Sequence, residues 1–267
     1  MLELYKMGIL SVDTSPEAEK VQLDILRRLG PVTRLEQLAD ATRLSWELVR
    51  AGTDTEDSLE RWLGAPHRLP PDTGGGLLKP IATPLLAASR LKKIGIPYVI
   101  GGSYASSIHG EPRSTRDCDF LIELDADLLD SFVEEFQDDF YLSRQAISEA
   151  IELKRSFNLI HLETGFKLDL FVSRGREYDR ERLARGISLE LARGSICVST
   201  AEDTILSKLE WYSTTPSDQQ WRDILGVLLI QSNRLDQGYL RFWSTRLGLE
   251  SLLDKALQTV TDRSVDS

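Results

Sequence analysis

Apolar positions along the chain fall into three successive patterns. In the first, they recur at helical spacing. Asp13-Thr14-Ser15-Pro16-Glu17 is a start signal, with Ser15 as N-cap and Pro16 at the first helical position. Val21, Ile25 and Leu29 then share a face until Gly30-Pro31 interrupts them. A second helix carries Leu35, Leu38, Leu44, Leu48 and Val49 and ends near Ala51-Gly52, and a short third segment holds Leu59, Trp62 and Leu63. Pro70-Pro71-Asp72-Thr73-Gly74-Gly75-Gly76 reads as a linker.

The second pattern mixes periods. Thr83 to Ile94 predicts a helix leading into a strand at Tyr98–Ile100, and Ser103 to His109 a short helix behind the glycines. Asp117–Leu124 predicts a strand, Ala126–Phe136 an amphipathic helix and Arg144–Leu153 another. Phe157–Leu162 and Phe166–Val172 alternate about Glu163-Thr164-Gly165, a hairpin signal. Ile187–Leu191 and Ile196–Val198 are shorter strands about Ala192-Arg193-Gly194. From Thr200 onward the pattern is helical: Thr204–Tyr212, Trp221–Ser232, Asp236–Leu247 and Leu249–Thr261. The expected class is α+β, a small mixed sheet with helices followed by a C-terminal helical bundle. The expected division is a helical segment at 1–69, a linker at 70–79, a core at 80–198 and a helical region at 199–267.

Composition changes this picture little. The 267 residues, 41% hydrophobic and 28% charged, suit a globular protein. No apolar run approaches a membrane span and the first residues are no signal peptide, so a cytoplasmic protein without a membrane partner is expected. The two cysteines sit in apolar, strand-like sequence and read as reduced thiols, and the three histidines are too scattered for a zinc site. A net charge of −10 argues against a uniformly basic surface for nucleic acid. The most basic stretch, Arg174, Arg176, Arg180, Arg182, Arg185 and Arg193, is diluted by Glu177, Asp179 and Glu181 and reads as a solvated helix.

The chemistry concentrates at Gly101-Gly102-Ser103 and Asp117-Cys118-Asp119. Glycines let backbone amides approach a phosphate, the helix behind them turns its positive end toward it, and Ser103 adds a hydroxyl. On a strand, Asp117 and Asp119 share one face, and two carboxylates so close repel unless a cation sits between them. Asp169, centred in the apolar run Phe166-Lys167-Leu168-Asp169-Leu170-Phe171-Val172, needs a Lys or Arg partner or a metal. Arg113 and Arg116, just ahead of Asp117, are within reach of triphosphate oxygens. His109 reads as a structural histidine at a helix end.

Gly101-Gly102-Ser103 with Asp117-Cys118-Asp119 downstream resembles the signature of the nucleotidyltransferase superfamily, the polymerase-beta-like fold. The stretch from Ser199 to Leu209 and Trp221-Arg222-Asp223 resemble the Lys and Asp motifs of its type IV abortive-infection toxin branch, close to the minimal nucleotidyltransferases. The resemblance spans roughly residues 80 to 260. It implies a nucleoside triphosphate substrate and two Mg²⁺ ions held by Asp117, Asp119 and Asp169. It assigns Lys208 to phosphate charge and Asp223 to orienting Lys208 or touching the acceptor. The implied product is a nucleoside monophosphate joined to tRNA or to a protein, in a toxin–antitoxin or phage-defence setting with a possible antitoxin partner. Nucleotidylation of a small molecule such as an antibiotic, or a catalytically silent binding module, are the alternatives. The N-terminal helices are expected to be regulatory or antitoxin-like.

Overall fold

The computed structural model describes residues 16–52 and 81–265, with side chains over 21–43 and 81–262. The Ser15 cap, the segment holding Leu59, Trp62 and Leu63, and the 70–79 linker lie outside the described residues. The fold is α+β. Two helices, α1 (Pro16–Arg28) and α2 (Pro31–Gly52), precede a third, α3 (Ala82–Lys93). Pro31 falls at the first position of α2, where its missing amide costs no hydrogen bond.

The central sheet has seven strands in the order β3-β4-β5-β2-β1-β7-β6. They are β1 (Tyr98–Ile100), β2 (Asp117–Ile122), β3 (Phe140–Tyr141), β4 (Ser156–His161), β5 (Lys167–Val172), β6 (Ile187–Leu191) and β7 (Gly194–Val198). The sheet is mixed, with β2 parallel to β5 and antiparallel to β1. The expected hairpin is the antiparallel β4–β5 pair, joined through Glu163-Thr164-Gly165. Gly165 adopts φ +67°, the left-handed conformation that a tight turn demands.

Alternation decides the faces. Cys118, Phe120 and Ile122 of β2 and Leu168, Leu170 and Val172 of β5 are buried against α5 (Leu129–Phe136) and α6 (Arg144–Leu153) in one apolar core. The opposite face of β2 and β5 carries the acidic residues beside α4 (Gly102–His109). After α7 (Glu177–Arg185) come four helices, α8 (Ala201–Thr214), α9 (Asp218–Gln231), α10 (Gln237–Leu247) and α11 (Glu250–Val265), which bury a second core around Ile205, Leu209, Ile224 and Leu228.

The N-terminal helices belong to both cores. Leu35 and Leu38 of α2 are fully buried in the sheet core, while Leu23 of α1 packs on the helical one. Burying two leucines is worth about 3–6 kcal/mol, so α2 is part of the fold and no loose appendage. Arg34, also buried, donates to the Ile108 and Leu26 carbonyls, and burial lowers its guanidinium pKa to about 10.

Two expectations are refined. The helix predicted from Ala126 opens as a 3₁₀ turn (Ala126–Leu128) and becomes α-helical only at Leu129, with Leu128 between them at φ −97°, ψ 0°. Strand β3 was not predicted, since two residues carry no period. Among the described residues, no helix is long and apolar enough to cross a membrane.

Candidate active site

The site begins where β1 gives way to α4. The Gly101 amide donates to the Asp119 carbonyl at 2.9 Å, and Gly102 turns to φ +53°. A Cβ on Gly102 would lie 1.7 Å from the Asp119 carboxylate, so only glycine leaves room for that side chain. The first amides of α4 have no partner within the helix, which leaves donors and positive potential at the turn.

Strands β2 and β5 run parallel with Asp119 opposite Asp169 and Asp117 opposite Lys167. All four side chains therefore stand on one face, in a square with three acidic corners and one basic one. Lys167 donates to Asp169 at 2.7 Å and reaches Asp117 at 3.7 Å. Burial, together with the charges of Asp117 and Asp169, pushes the Asp119 carboxyl up to about 7, against the opposing pull of Lys208 and Lys167. Burial works against the Lys167 ammonium, but Asp169 and the other carboxylates outweigh it and raise its pKa.

Residues 101, 102, 117, 119 and 169 are thus brought together. The oxygen-only donor set suits Mg²⁺, and burial, with the neighbouring carboxylates second, puts the upward pressure on Asp119. Among the described residues, no group of three or more His, Cys, Asp and Glu side chains has the arrangement of a metal site. The ammonium of Lys167 stands in the cluster instead. The ligand types fit the metal, and Lys167 is paired with two of the three carboxylates.

A second charge cluster closes the other side of the turn. Arg113 donates from Nε and Nη2 to the two Asp223 oxygens at 3.0 and 2.9 Å, and from Nη2 to Ser103 Oγ at 2.7 Å. Lys208 donates to Asp223 Oδ2 at 2.7 Å, and Gln219 to Oδ1 at 2.9 Å. Burial alone would raise the Asp223 carboxyl, but Arg113 and Lys208 hold it at about 2. Asp223 and Lys208 form an ion pair. Arg113 shares it, its fork on the carboxylate and its tip on the serine of the turn. Arg116 is exposed, beside Asp117 and outside this cluster.

His109 is structural, as expected. Its Nε2–H donates to the Ser199 carbonyl at 2.7 Å, and burial drives its pKa down to about 4. The arginine-rich stretch is solvated in part: Arg174, Arg180 and Arg193 are exposed, as expected, while Arg176, Arg182 and Arg185 are half-buried. Arg176 pairs with Asp179 and Glu210, and Arg185 with Glu202 and Asp203, so these cations are consumed within the fold.

Sequence reasoning missed the support for Asp117. Thr115 donates from Oγ1 to the Asp117 carboxylate at 3.2 Å, while its amide donates to Thr42 Oγ1 on α2. It also missed the aromatic wall beyond Asp169, where Phe171 of β5 meets the exposed Trp211 of α8 edge-to-face at 6.3 Å. Trp211 lies one helical turn past Lys208, a spacing the sequence did contain.

No protein-family model matches the chain, and no curated protein does. Three solved structures resemble it. An antigenic nucleotidyltransferase-like protein from Paracoccidioides brasiliensis is 18% identical over 71% of this chain and 94% of its own, at a TM-score of 0.42. The lincomycin-bound lincosamide antibiotic adenylyltransferase LnuA is 14% identical over 53% and 92%, at 0.37. The antibiotic-resistance factor ANT(2'')-Ia is 11% identical over 69% and 99%, also at 0.37. Overlaps this loose decide neither activity nor acceptor.

Proposed function

We propose that the chain is a Mg²⁺-dependent nucleotidyltransferase that moves a nucleoside monophosphate from a triphosphate to an acceptor hydroxyl. The observation that carries this is the convergence of Asp117, Asp119 and Asp169 on one sheet face, with Asp119 pressed against a glycine turn that admits no side chain. The turn amides and Ser103 bind phosphate oxygens, and Lys208 and Arg113, fixed through Asp223, supply positive charge beside them. Bound Mg²⁺, held by the three aspartates, would supply charge neutralisation for the departing pyrophosphate and acidify the acceptor hydroxyl. The acceptor oxygen bonds to the α-phosphorus as the α–β bridging bond breaks, pyrophosphate leaves, and an Asp169 carboxylate oxygen takes the hydroxyl proton.

The acceptor we favour is tRNA or a protein, in a toxin–antitoxin or phage-defence setting. That preference rests on the Ser199–Leu209 and Trp221–Asp223 motifs and on the pairing of Lys208 with Asp223.

The test is to incubate purified protein with each α-labelled nucleoside triphosphate, Mg²⁺ and total tRNA, and to see whether label enters RNA or the protein itself. Asp119→Asn should abolish the signal and relieve any growth arrest that the wild-type chain causes on expression. Full transfer by Asp119→Asn refutes the proposal.

A further inference from the structure

We propose that Lys167 is a built-in counter-cation that competes with divalent metal for Asp117 and Asp169. This rests on the reading of those aspartates as metal ligands. Lys167 comes from the same strand as Asp169, two residues away, and therefore points from the same face. The parallel register sets it directly across from Asp117. Its ammonium lies 2.7 Å from Asp169 and 3.7 Å from Asp117, so it occupies the space between two of the three acidic corners.

A dication and an ammonium cannot share that space, because like charges at contact distance repel strongly. Metal entry therefore requires Lys167 to leave. It has a route: its side chain is 40% exposed, whereas Lys208 is 11% exposed and held by Asp223. Its departure leaves the Asp117 and Asp169 carboxylates without their shared ammonium and open to the ion. The lysine thus keeps mutually repelling acids folded together and sets the metal affinity below what three carboxylates alone would give.

The experiment titrates Mn²⁺ into the full chain without nucleotide and follows the free-ion signal by electron paramagnetic resonance. Lys167→Met should bind Mn²⁺ about tenfold tighter than wild type, the low end for a hydrogen bond between charged groups (about 1.4 kcal/mol). Lys167→Arg should stay near wild type. Without metal, Lys167→Met should melt below wild type and recover with Mn²⁺. A merely structural lysine would lower the melt without tightening the metal. If Lys167→Met fails to fold, Lys167→Gln takes its place. Equal or weaker Mn²⁺ binding by the lysine-free variant overturns the counter-cation while leaving nucleotidyl transfer intact. Failure of wild type and variant alike to bind Mn²⁺ overturns both.

Discussion

Replacing His109 by glutamine should change how stability responds to pH, with a sign that follows from burial. His109 ends α4 behind the glycine turn, donates to the Ser199 carbonyl at the end of β7, and its own carbonyl accepts from Gln231 on α9. It joins the sheet core to the helical core, and the two cores together supply the site. Its pKa falls from 6.5 to about 4 on folding. Between those values the unfolded chain holds a proton that the native protein lacks, so the histidine's contribution is present above pH 6.5 and is lost as pH falls. From pH 7 to pH 5 the loss is about 2 kcal/mol. Asp119 acts in the opposite sense. Its pKa rises from 3.8 to about 7, so the native state holds the extra proton and stability grows as pH falls through 7. The gain over the same interval is also about 2 kcal/mol. The two contributions offset each other in the wild type, so the histidine becomes visible only by difference. His109→Gln keeps an N–H donor but cannot titrate. Urea unfolding of both proteins at pH 7 and pH 5 should give His109→Gln a relative advantage of about 2 kcal/mol at the lower pH. His161, whose pKa is also lowered, is common to both and cancels. Identical pH responses in the two proteins would refute the assignment of a buried, neutral His109.

Gly102→Ala should cost about 1–2 kcal/mol in backbone strain and displace Asp119, lowering both the melting temperature and transfer; wild-type values for both would show that the turn does not touch the carboxylate. Asp223→Asn removes the anion between Lys208 and Arg113 and should destabilise by about 3 kcal/mol, the low end for breaking a buried pair because Arg113 is partly exposed, read by urea unfolding. An unchanged midpoint would refute the network. Arg34→Ala strips buried donors from two carbonyls and should cost about 2–4 kcal/mol, with faster amide exchange in α4. Unchanged exchange there would make α1 and α2 a detachable segment.

The helices and strands were legible because their patterns are local. The alternation in 117–122 and 167–172 occupies a few consecutive residues. The caps at Thr200 and Ser217 went unread, and the helices behind them begin at Ala201 and Asp218, ahead of the expected Thr204 and Trp221. The meeting of Asp119 with the glycine turn was legible for a similar reason, since both lie within a short stretch of chain. What the sequence does not contain is register. Lys167 faces Asp117 only because β5 lies parallel to β2 in one particular alignment, and one residue of slip would turn it to the apolar face. The docking of α2 on α4 was equally invisible: Arg34 reads as an ordinary surface arginine until Ile108, far along the chain, supplies a carbonyl.

The division of cations between the two acidic groups is the consequence of that long-range geometry that matters most for chemistry. Asp223 takes Arg113 and Lys208, leaving the three facing aspartates with Lys167 as their sole direct ion-pair partner among the described residues. Were Asp223 neutral, Lys208 would be free to swing toward Asp119, whose charge it already influences. A second ammonium there would satisfy the carboxylates with protein charge and leave less for metal. Asp223 therefore works in two directions at once: it aims positive charge at the glycine turn, and it keeps that charge off the aspartates. Asp223→Asn should accordingly weaken Mn²⁺ binding, although residue 223 is not among the proposed ligands, and adding Lys167→Met should restore part of it. Unchanged Mn²⁺ affinity in Asp223→Asn would mean that the two charge clusters are independent.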